Sequence, residues 1–450
     1  MPYAYLTLAQ LSTALATRLQ DPTNVFWSSA ELTLYIQESL RTWNSMAAWY
    51  RDKMVFNTTT ANPFYDLSAV SGTLIPYTVT GQALFQQIES LLLEPVTAGT
   101  WNGSEQFTAD DISTAIQNSR DQFLLETGAR LNHVAGVTGD ILTGRFDLSD
   151  TTIDIRRMAY FDANGQFTLL WRSDEYNLNA WQQDWSLNPG PPSVYSIVAA
   201  PPVRVQVGPL PDLPGTLDLI TVDAGALVDP TTATPLGIPD DFAWVIKFGA
   251  LSDLLTKDGP PSDPFRASYC DKRWEEGIQL ARVSTSVMFA QLDGLSTQVS
   301  SVFDIDTNLV NWQNLAPTSP YAIGMAGLNL LVLAPTPDAG PHSVSLDVLA
   351  NMPVPVNAGD FIQVGREELD VITDYAEHLA AFKMSGAEFA ATMPAYLRMA
   401  RLAVQQNARW RAVSKAPGDD HNRARRDFSQ VRRRDYHEPV TASADMEGGI

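Results

Sequence analysis

Cysteine and histidine are scarce in this sequence: among 450 residues it has one cysteine, Cys270, and five histidines. A lone thiol cannot form an intramolecular disulfide, which favours a protein that folds in a reducing cytoplasm. No two histidines have the spacing of a metal site, and there is no phosphate-binding loop, dinucleotide-binding turn or nucleophile elbow. We therefore predict no catalytic residue, no metal and no cofactor, and we expect a packed Cys270 in a protein that is not an enzyme.

Long apolar runs are also lacking. No stretch reaches the roughly 18 apolar residues that a membrane-spanning helix needs. The segment from Met1 to Tyr5 lacks the basic and apolar regions of a secretion signal. We expect a soluble protein with no membrane partner. The hydrophobic content of 45% predicts ordinary globular packing, and a length of 450 residues favours two or three domains.

Positive charge is in short supply, with 30 Lys and Arg against 51 Asp and Glu and a net charge of −21. It is also unevenly placed, because residues 398–434 contain eleven basic and three acidic residues, a net charge of +8 that leaves −29 for the remainder. An acidic body repels nucleic acid. Only the C-terminal segment has the charge to approach it.

Cap residues and apolar periodicity predict helices in the first 130 residues. Four residues mark the predicted helix starts: Thr7, Ser28, Thr80 and Thr108. Glu31 and Asp111 follow two of these starts at the spacing of a capping box. The helix after Ser28 has an apolar stripe that we expect to face a core: Leu32, Ile36, Leu40, Trp43, Ala47 and Tyr50.

The pattern changes to strands at about residue 150. Asn164-Gly165 is a strong hairpin signal between two β-prone runs. The predicted strands are 152–160, 166–172, 193–199, 203–207 and 216–223. Helices return from Pro239 to Lys257 and again to about Val283. For residues 284–322 we predict a loop-rich connection with short helices.

Residues 328–349 have the same pattern as residues 203–223: a strand, a turn with two prolines and an aspartate, and a second strand. Two helical stretches follow in both places, and Tyr396 repeats Tyr269 at an offset of 127. We interpret this as a divergent duplication of a strand–turn–strand–helix–helix unit. The alternative is that two unrelated units share the same turn residues.

These patterns predict the α+β class, with an N-terminal helical bundle, an inserted antiparallel β layer and a second β-αα unit toward the C-terminus. The predicted divisions are a helical region (1–150), a β layer with a helical pair (151–285), a connection with the second β-αα unit (286–415) and a basic arm (416–450).

Four pairs of adjacent acids are candidates for glycosidase carboxylates: Asp110-Asp111, Asp240-Asp241, Glu275-Glu276 and Glu367-Glu368. Such enzymes need two acids on opposite sides of one bond. Neighbouring helical residues point about 100° apart, so a sequential pair does not flank a substrate. Three of the pairs lie in predicted first turns, where the helix dipole favours acids.

The basic arm follows a Pro-Gly breaker and mixes arginines with aromatic residues. Three roles are open for the arm: a solvated segment without a binding role, a segment that binds DNA phosphates, or a segment that docks on a protein partner. The mixture of aromatic residues and arginines favours docking. The predicted docking residues are Arg423, Arg425, Arg426, Phe428, Arg432, Arg433, Arg434 and Tyr436.

The segment from Leu19 to Trp43, which reads LQDPTNVFWSSAELTLYIQESLRTW, resembles the opening of tailed-bacteriophage head–tail connector proteins, the adaptors of the phage neck. Ile238-Pro-Asp-Asp-Phe, with Lys257-Asp-Gly, Tyr269 and Trp274 after it, is similar to the later helical pair of that family. The resemblance covers residues 1–285 in pattern.

The resemblance implies a structural virion protein that forms a ring, often a dodecamer, at the neck and joins the portal and head to the tail. The implied partners are the portal protein, tail or nozzle proteins and other copies of the chain. Packaged DNA lies nearby without sequence-specific contact. The protein would be made in the cytoplasm of the infected bacterium and located in the virion. The alternative is a tail-tube protein, or a tail-associated protein that binds or cleaves glycans.

Overall fold

The computed structural model describes residues 5–48, 50–70, 73–93, 106–140, 142–181, 185, 187–199, 202–257, 262–284, 286–350, 354–384 and 386–413. Within these residues the fold combines α-helices with several sheets, which confirms the α+β class.

The helices are α1 (Leu8–Arg18), α2 (Ser29–Ala47), α3 (Gly81–Leu92), α4 (Ala109–Thr127), α5 (Glu175–Trp181), α6 (Ala243–Thr256), α7 (Pro264–Val283), α8 (Val302–Asn308), α9 (Arg366–Phe382), α10 (Gly386–Thr392) and α11 (Pro394–Val413). Short 3₁₀ turns lie at Asp240–Phe242 and Trp312–Asn314.

The strands are β1 (Arg51–Asn57), β2 (Phe64–Asp66), β3 (Asn132–Val137), β4 (Arg145–Asp147), β5 (Thr152–Asp162), β6 (Phe167–Arg172), β7 (Val194–Ala199), β8 (Arg204–Gly208), β9 (Gly215–Asp223), β10 (Val287–Leu292), β11 (Leu295–Thr297), β12 (Val299–Ser301), β13 (Ala322–Ala326), β14 (Leu330–Ala334) and β15 (Ser343–Leu349).

The predicted helix starts are confirmed, because the side chains of Thr7, Ser28, Thr80 and Thr108 each accept a backbone hydrogen bond as N-caps. Such a bond satisfies one of the amides that an isolated helix start leaves without a partner. The stripe on α2 is buried from Leu32 to Ala47. Tyr50 lies beyond the end of α2 and is half-buried.

The predicted hairpin at Asn164-Gly165 is confirmed by the pairing of β5 with β6, in which Gly165 has the left-handed φ of 74° that suits glycine. Residues 284–322 differ from the prediction, since they hold β10, β11 and β12 as well as α8. These strands are three to six residues long and have little alternation, so periodicity does not reveal them.

Strand order divides the described residues into two units with one topology. One sheet has the order β3-β9-β5-β6-β7-β8-β4. The other strands follow the same order in two pieces, β1-β15-β10-β11 and β12-β13-β14-β2, in which β11 and β12 together take the place of β6. The sheets are mainly antiparallel, but β6 pairs with β7, and β12 with β13, in parallel.

We call residues 80–284 the inserted unit, and residues 5–79 with 286–413 the split unit. In each, two helices precede the first strand and further helices follow the last one. The second helix has 19 residues in both, starts with a capping box and ends at a left-handed residue, Ala48 in one and Gly128 in the other. Since β1 pairs with β15, the split unit closes around the insertion. The inserted unit spans the predicted boundary at 150 and ends next to the one predicted at 285, and the predicted divisions stay predictions.

Three apolar cores hold the molecule together. The largest lies among the long helices of both units, and two smaller ones lie beneath the sheets, one in each unit. Because helices from both units share one core, burial of apolar surface holds the units against each other.

Candidate functional site

The predicted docking arm, with Arg423, Arg425, Arg426, Phe428, Arg432, Arg433, Arg434 and Tyr436, lies outside the described residues. The helix before it, α11, exposes Leu397, Arg401 and Val404. These residues are four and three positions apart and therefore share one helix face. That face is a mixed apolar and basic surface on the last helix that the structure describes.

A buried polar seam joins the helices of the two units. Lys247 of α6 forms an ion pair with Glu38 of α2, and their side chains are 1% and 7% exposed. Gln87 of α3 donates a hydrogen bond to the second carboxylate oxygen of Glu38 at 2.6 Å. Burial lowers the pKa of Lys247. Two buried charges are tolerated here because each satisfies the other.

Arg273 of α7 is the second buried cation of the seam. Its guanidinium donates to the hydroxyl of Tyr375 at 3.1 Å and to the carboxylate of Glu276 at 3.0 Å. Its central carbon lies 3.5 Å from the ring centroid of Tyr396. Since α9 and α11 supply these rings, this cation also fixes one unit on the other.

The remaining buried groups of the seam are held neutral. Burial raises the pKa of the Cys270 thiol, which makes it a poor nucleophile and agrees with the packed side chain predicted from the sequence. Burial lowers the pKa of His378 to about 3. Its ring nitrogens contact the hydroxyls of Thr392 and Tyr269, both at 2.9 Å. These contacts position side chains in a packed interior.

The pair Asp240-Asp241 has structural contacts. Asp240 accepts hydrogen bonds from the backbone of Thr78 at 2.6 Å and of Val79 at 2.8 Å, which fixes the linker between the units. Asp241 accepts one from Asn44 at 2.6 Å, and burial raises its pKa to about 7. The two carboxylates face different segments and do not converge on an open cleft.

One acid of each remaining pair has a contact within the fold. Asp111 closes the capping box of α4 and pairs with Lys257; the hydrogen bond from Lys257 lowers its pKa to about 2. Glu276 accepts the hydroxyl of Tyr396 at 2.7 Å. Glu368 accepts from Gln406 at 3.0 Å. Each of these acids therefore has a contact that explains its place.

A cleft of about 280 Å³ opens between the units, where α4 and α7 end beside the turn between β13 and β14. Arg282 donates to the backbone carbonyl of Glu126 at 3.2 Å, and Arg156 donates to that of Leu125. Cations at a helix C-terminus are favoured by the helix dipole. Phe303 of α8 lines part of the cleft, and the two arginines hold β5 and α7 to the C-terminal end of α4.

The segment that connects β12 to β13, residues 302–321, is called the α8 segment. It lies on the sheet of the inserted unit. Asp306 accepts two hydrogen bonds from Arg157, at 2.7 and 2.9 Å, and both side chains are buried. Asn314 exchanges two hydrogen bonds with the backbone of Phe167. A buried bidentate pair with a backbone clamp makes a specific contact.

The corresponding segment of the inserted unit connects β6 to β7 and is called the α5 segment, residues 173–193. Large apolar side chains are exposed there: Tyr176 is 81% exposed, Leu187 is 78% exposed, and Trp171 at the end of β6 is 68% exposed. Apolar residues clustered at a surface mark interaction sites. This segment is the strongest candidate for a partner-binding surface among the described residues.

Sequence reasoning missed the seam and the contact of the α8 segment. A lone lysine within the apolar run AWVIKFGALSDLL was the available signal for Lys247, since such a cation is buried only when it has a partner. Arg157 lies in a strand of ordinary polarity and gives no comparable signal.

Among the described residues, no helix combines the length and apolarity needed to cross a bilayer. The same part of the chain contains no cluster of three or more metal-binding side chains. No protein-family model matches the chain, and no curated protein matches its sequence.

Proposed function

We propose that the chain is a structural virion protein of a tailed bacteriophage, and that it forms a ring at the neck that joins the portal and head to the tail. The observation that carries the proposal is the resemblance of residues 19–43 to connector proteins, together with the position of that segment. It forms the capped helix α2, which packs against α9 and α11 in the shared core.

The contact between the two units also supports a ring. The α8 segment of the split unit covers the sheet of the inserted unit, whereas Tyr176 and Leu187 of the α5 segment are exposed. Contacts of this kind are heterologous, because the two partners use different surfaces. Repeated heterologous contacts generate a closed ring when the rotation between copies closes, and an open filament when it does not. A dodecamer is the ring order that the resemblance suggests.

The proposed partners are other copies of the chain, the portal protein and tail or nozzle proteins, with packaged DNA nearby but not read by sequence. The arm from Arg423 to Tyr436 is the proposed docking segment for a protein partner. A segment that follows a Pro-Gly breaker carries no sequence signal for the helix or ribbon that reads bases in a groove, and a body of net charge −29 opposes a +8 segment near the duplex. The proposed location is the virion, after synthesis in the cytoplasm of the infected bacterium.

Native mass spectrometry of the purified chain, and electron microscopy of virions labelled through it, test the ring. We expect a single closed oligomer and its presence at the neck. A chain that stays monomeric at every concentration and is absent from virions would contradict the proposal. Release of reducing sugar from host envelope polysaccharide, lost when one acidic pair is changed to amides, would favour the glycan-cleaving alternative.

Deletion of residues 421–450 tests the arm. The truncated protein should keep the thermal unfolding curve of the full chain, since the arm follows a breaker and has no apolar stripe. Heads assembled with it should package DNA but fail to join tails. Infectious particles at wild-type yield, or an isolated arm that binds DNA but no neck protein, would refute docking.

A further inference from the structure

The sheets of the two units can be compared strand by strand, because their paired residues are in the same register. In the inserted unit, His133 of β3, Ile220 of β9 and Arg157 of β5 lie side by side. In the split unit, Lys53 of β1, Asp347 of β15 and Phe289 of β10 occupy the same places. The core-facing strand residues also correspond, which fixes the register of the comparison. Each unit therefore has the same outer sheet face.

Among the described residues, a covering segment is found on the face of the inserted unit alone. In the inserted unit the face holds Arg157, which is buried beneath Asp306 and Gln313 of the α8 segment. On the corresponding face of the split unit, Val55 is 56% exposed and Ser296 of β11 is also exposed. Within the described part of the chain, one copy of a repeated contact is thus made and a second copy is not found.

The α5 segment is the counterpart of the α8 segment in this comparison. Leu187 of the α5 segment lies as many residues before β7 as Leu315 of the α8 segment lies before β13. Leu315 follows Asn314, the residue that clamps Phe167. By this spacing, Leu187 corresponds to Leu315, which lies beside the residue that binds the sheet of the inserted unit. Like Leu187, the apolar side chains of Trp171 and Tyr176 are exposed.

We propose that the α5 segment of one copy docks on the outer sheet face of the split unit of a second copy, as the α8 segment docks on the inserted unit within the chain. The contact is head to tail, so inserted and split units would alternate around an assembly. Trp171 and Tyr176 supply the apolar anchors. This inference rests on the proposed ring and names the surfaces that would build it.

Cross-linking of full-length protein tests the contact. The chain has one cysteine, Cys270, which is buried, so introduced cysteines react selectively with a short bis-maleimide. The double variant Leu187→Cys with Ser296→Cys should form covalent ladders longer than a dimer. An equal mixture of the two single variants should stop at dimers. Each single variant alone should give no cross-link, and dimers of Leu187→Cys alone would indicate a twofold contact and overturn the proposal.

A second measurement introduces a negative charge at the proposed contact. The variants Trp171→Asp and Tyr176→Asp should weaken self-association in sedimentation experiments by about tenfold or more, as loss of an aromatic anchor does. Leu227→Asp is the matched control, since Leu227 is 74% exposed but lies on neither surface. Circular dichroism should show that all three fold.

The outcomes separate this inference from the proposed function. If wild-type rings form and the Asp variants assemble like the control, with no ladder from the double cysteine variant, the interface is wrong and the ring stands. If the wild-type chain is monomeric throughout and absent from virions, both proposals fail.

Discussion

Breaking the ion pair between Lys247 and Glu38 should destabilise the protein far more than breaking an exposed pair on the same side of the molecule. The two side chains are 1% and 7% exposed, and they join α6 of the inserted unit to α2 of the split unit. Removal of one partner leaves a buried charge without compensation, which costs about 3–5 kcal/mol. We expect Glu38→Gln and Lys247→Met each to lower the free energy of unfolding by about this amount.

The pair of Lys257 and Asp111 provides a matched control. Its side chains are 46% and 36% exposed, and its nitrogen and oxygen lie 2.5 Å apart. Solvent screens this pair, so Lys257→Met should change the free energy of unfolding by at most about 1 kcal/mol. Both lysines belong to the same stretch of chain, which keeps the comparison local.

The double variant Glu38→Leu with Lys247→Met separates burial of charge from loss of packing. Two apolar side chains of similar volume remove the desolvation cost, so its stability should lie within about 1–2 kcal/mol of wild type or above it. Urea titration followed by tryptophan fluorescence measures all four variants. Single variants that match the Lys257→Met control would refute the reasoning, as would a double variant as unstable as the sum of the singles.

Three further predictions concern buried groups. As pH rises from 5 to 8, the free energy of unfolding of Asp241→Asn should rise relative to wild type by on the order of 2–3 kcal/mol, measured by urea titration. The folded-state pKa of Asp241 is about 7, above the ordinary value of 3.8, so wild type loses stability across that window. A difference that stays constant with pH would contradict this. His378→Gln should be less stable than wild type, and this difference in the free energy of unfolding should shrink by about 2 kcal/mol as pH falls from 7.5 to 5. The folded-state pKa of His378 is about 3, below the ordinary 6.5, so wild type loses stability when the unfolded chain takes up the proton. An unchanged difference would mean that His378 is not buried. Gly249→Ala should cost about 1–3 kcal/mol in thermal unfolding, since the added carbon would lie 2.6 Å from the ring of Trp274; a neutral result would show that α6 and α7 pack less closely.

Local signals were sufficient for much of the secondary structure. The capping boxes at Ser28 and Thr108, the stripe on α2 and the hairpin at Asn164-Gly165 depend on residues within a few positions of each other. Hydrogen bonds of this kind form between chain neighbours, so they can be inferred before the fold is known. The similarity of residues 203–223 and 328–349 was visible for the same reason, because turn residues are local.

The pairing of β1 with β15 was decided by tertiary structure alone, since its partners are separated by the whole inserted unit. The same holds for Lys247 with Glu38 and for Arg157 with Asp306, whose charges are stable in the interior only because distant segments bring a partner. A sequence pattern records which residues prefer burial or a turn. It does not record which remote surface will supply the complementary charge, and that choice depends on the free energy of the packed whole.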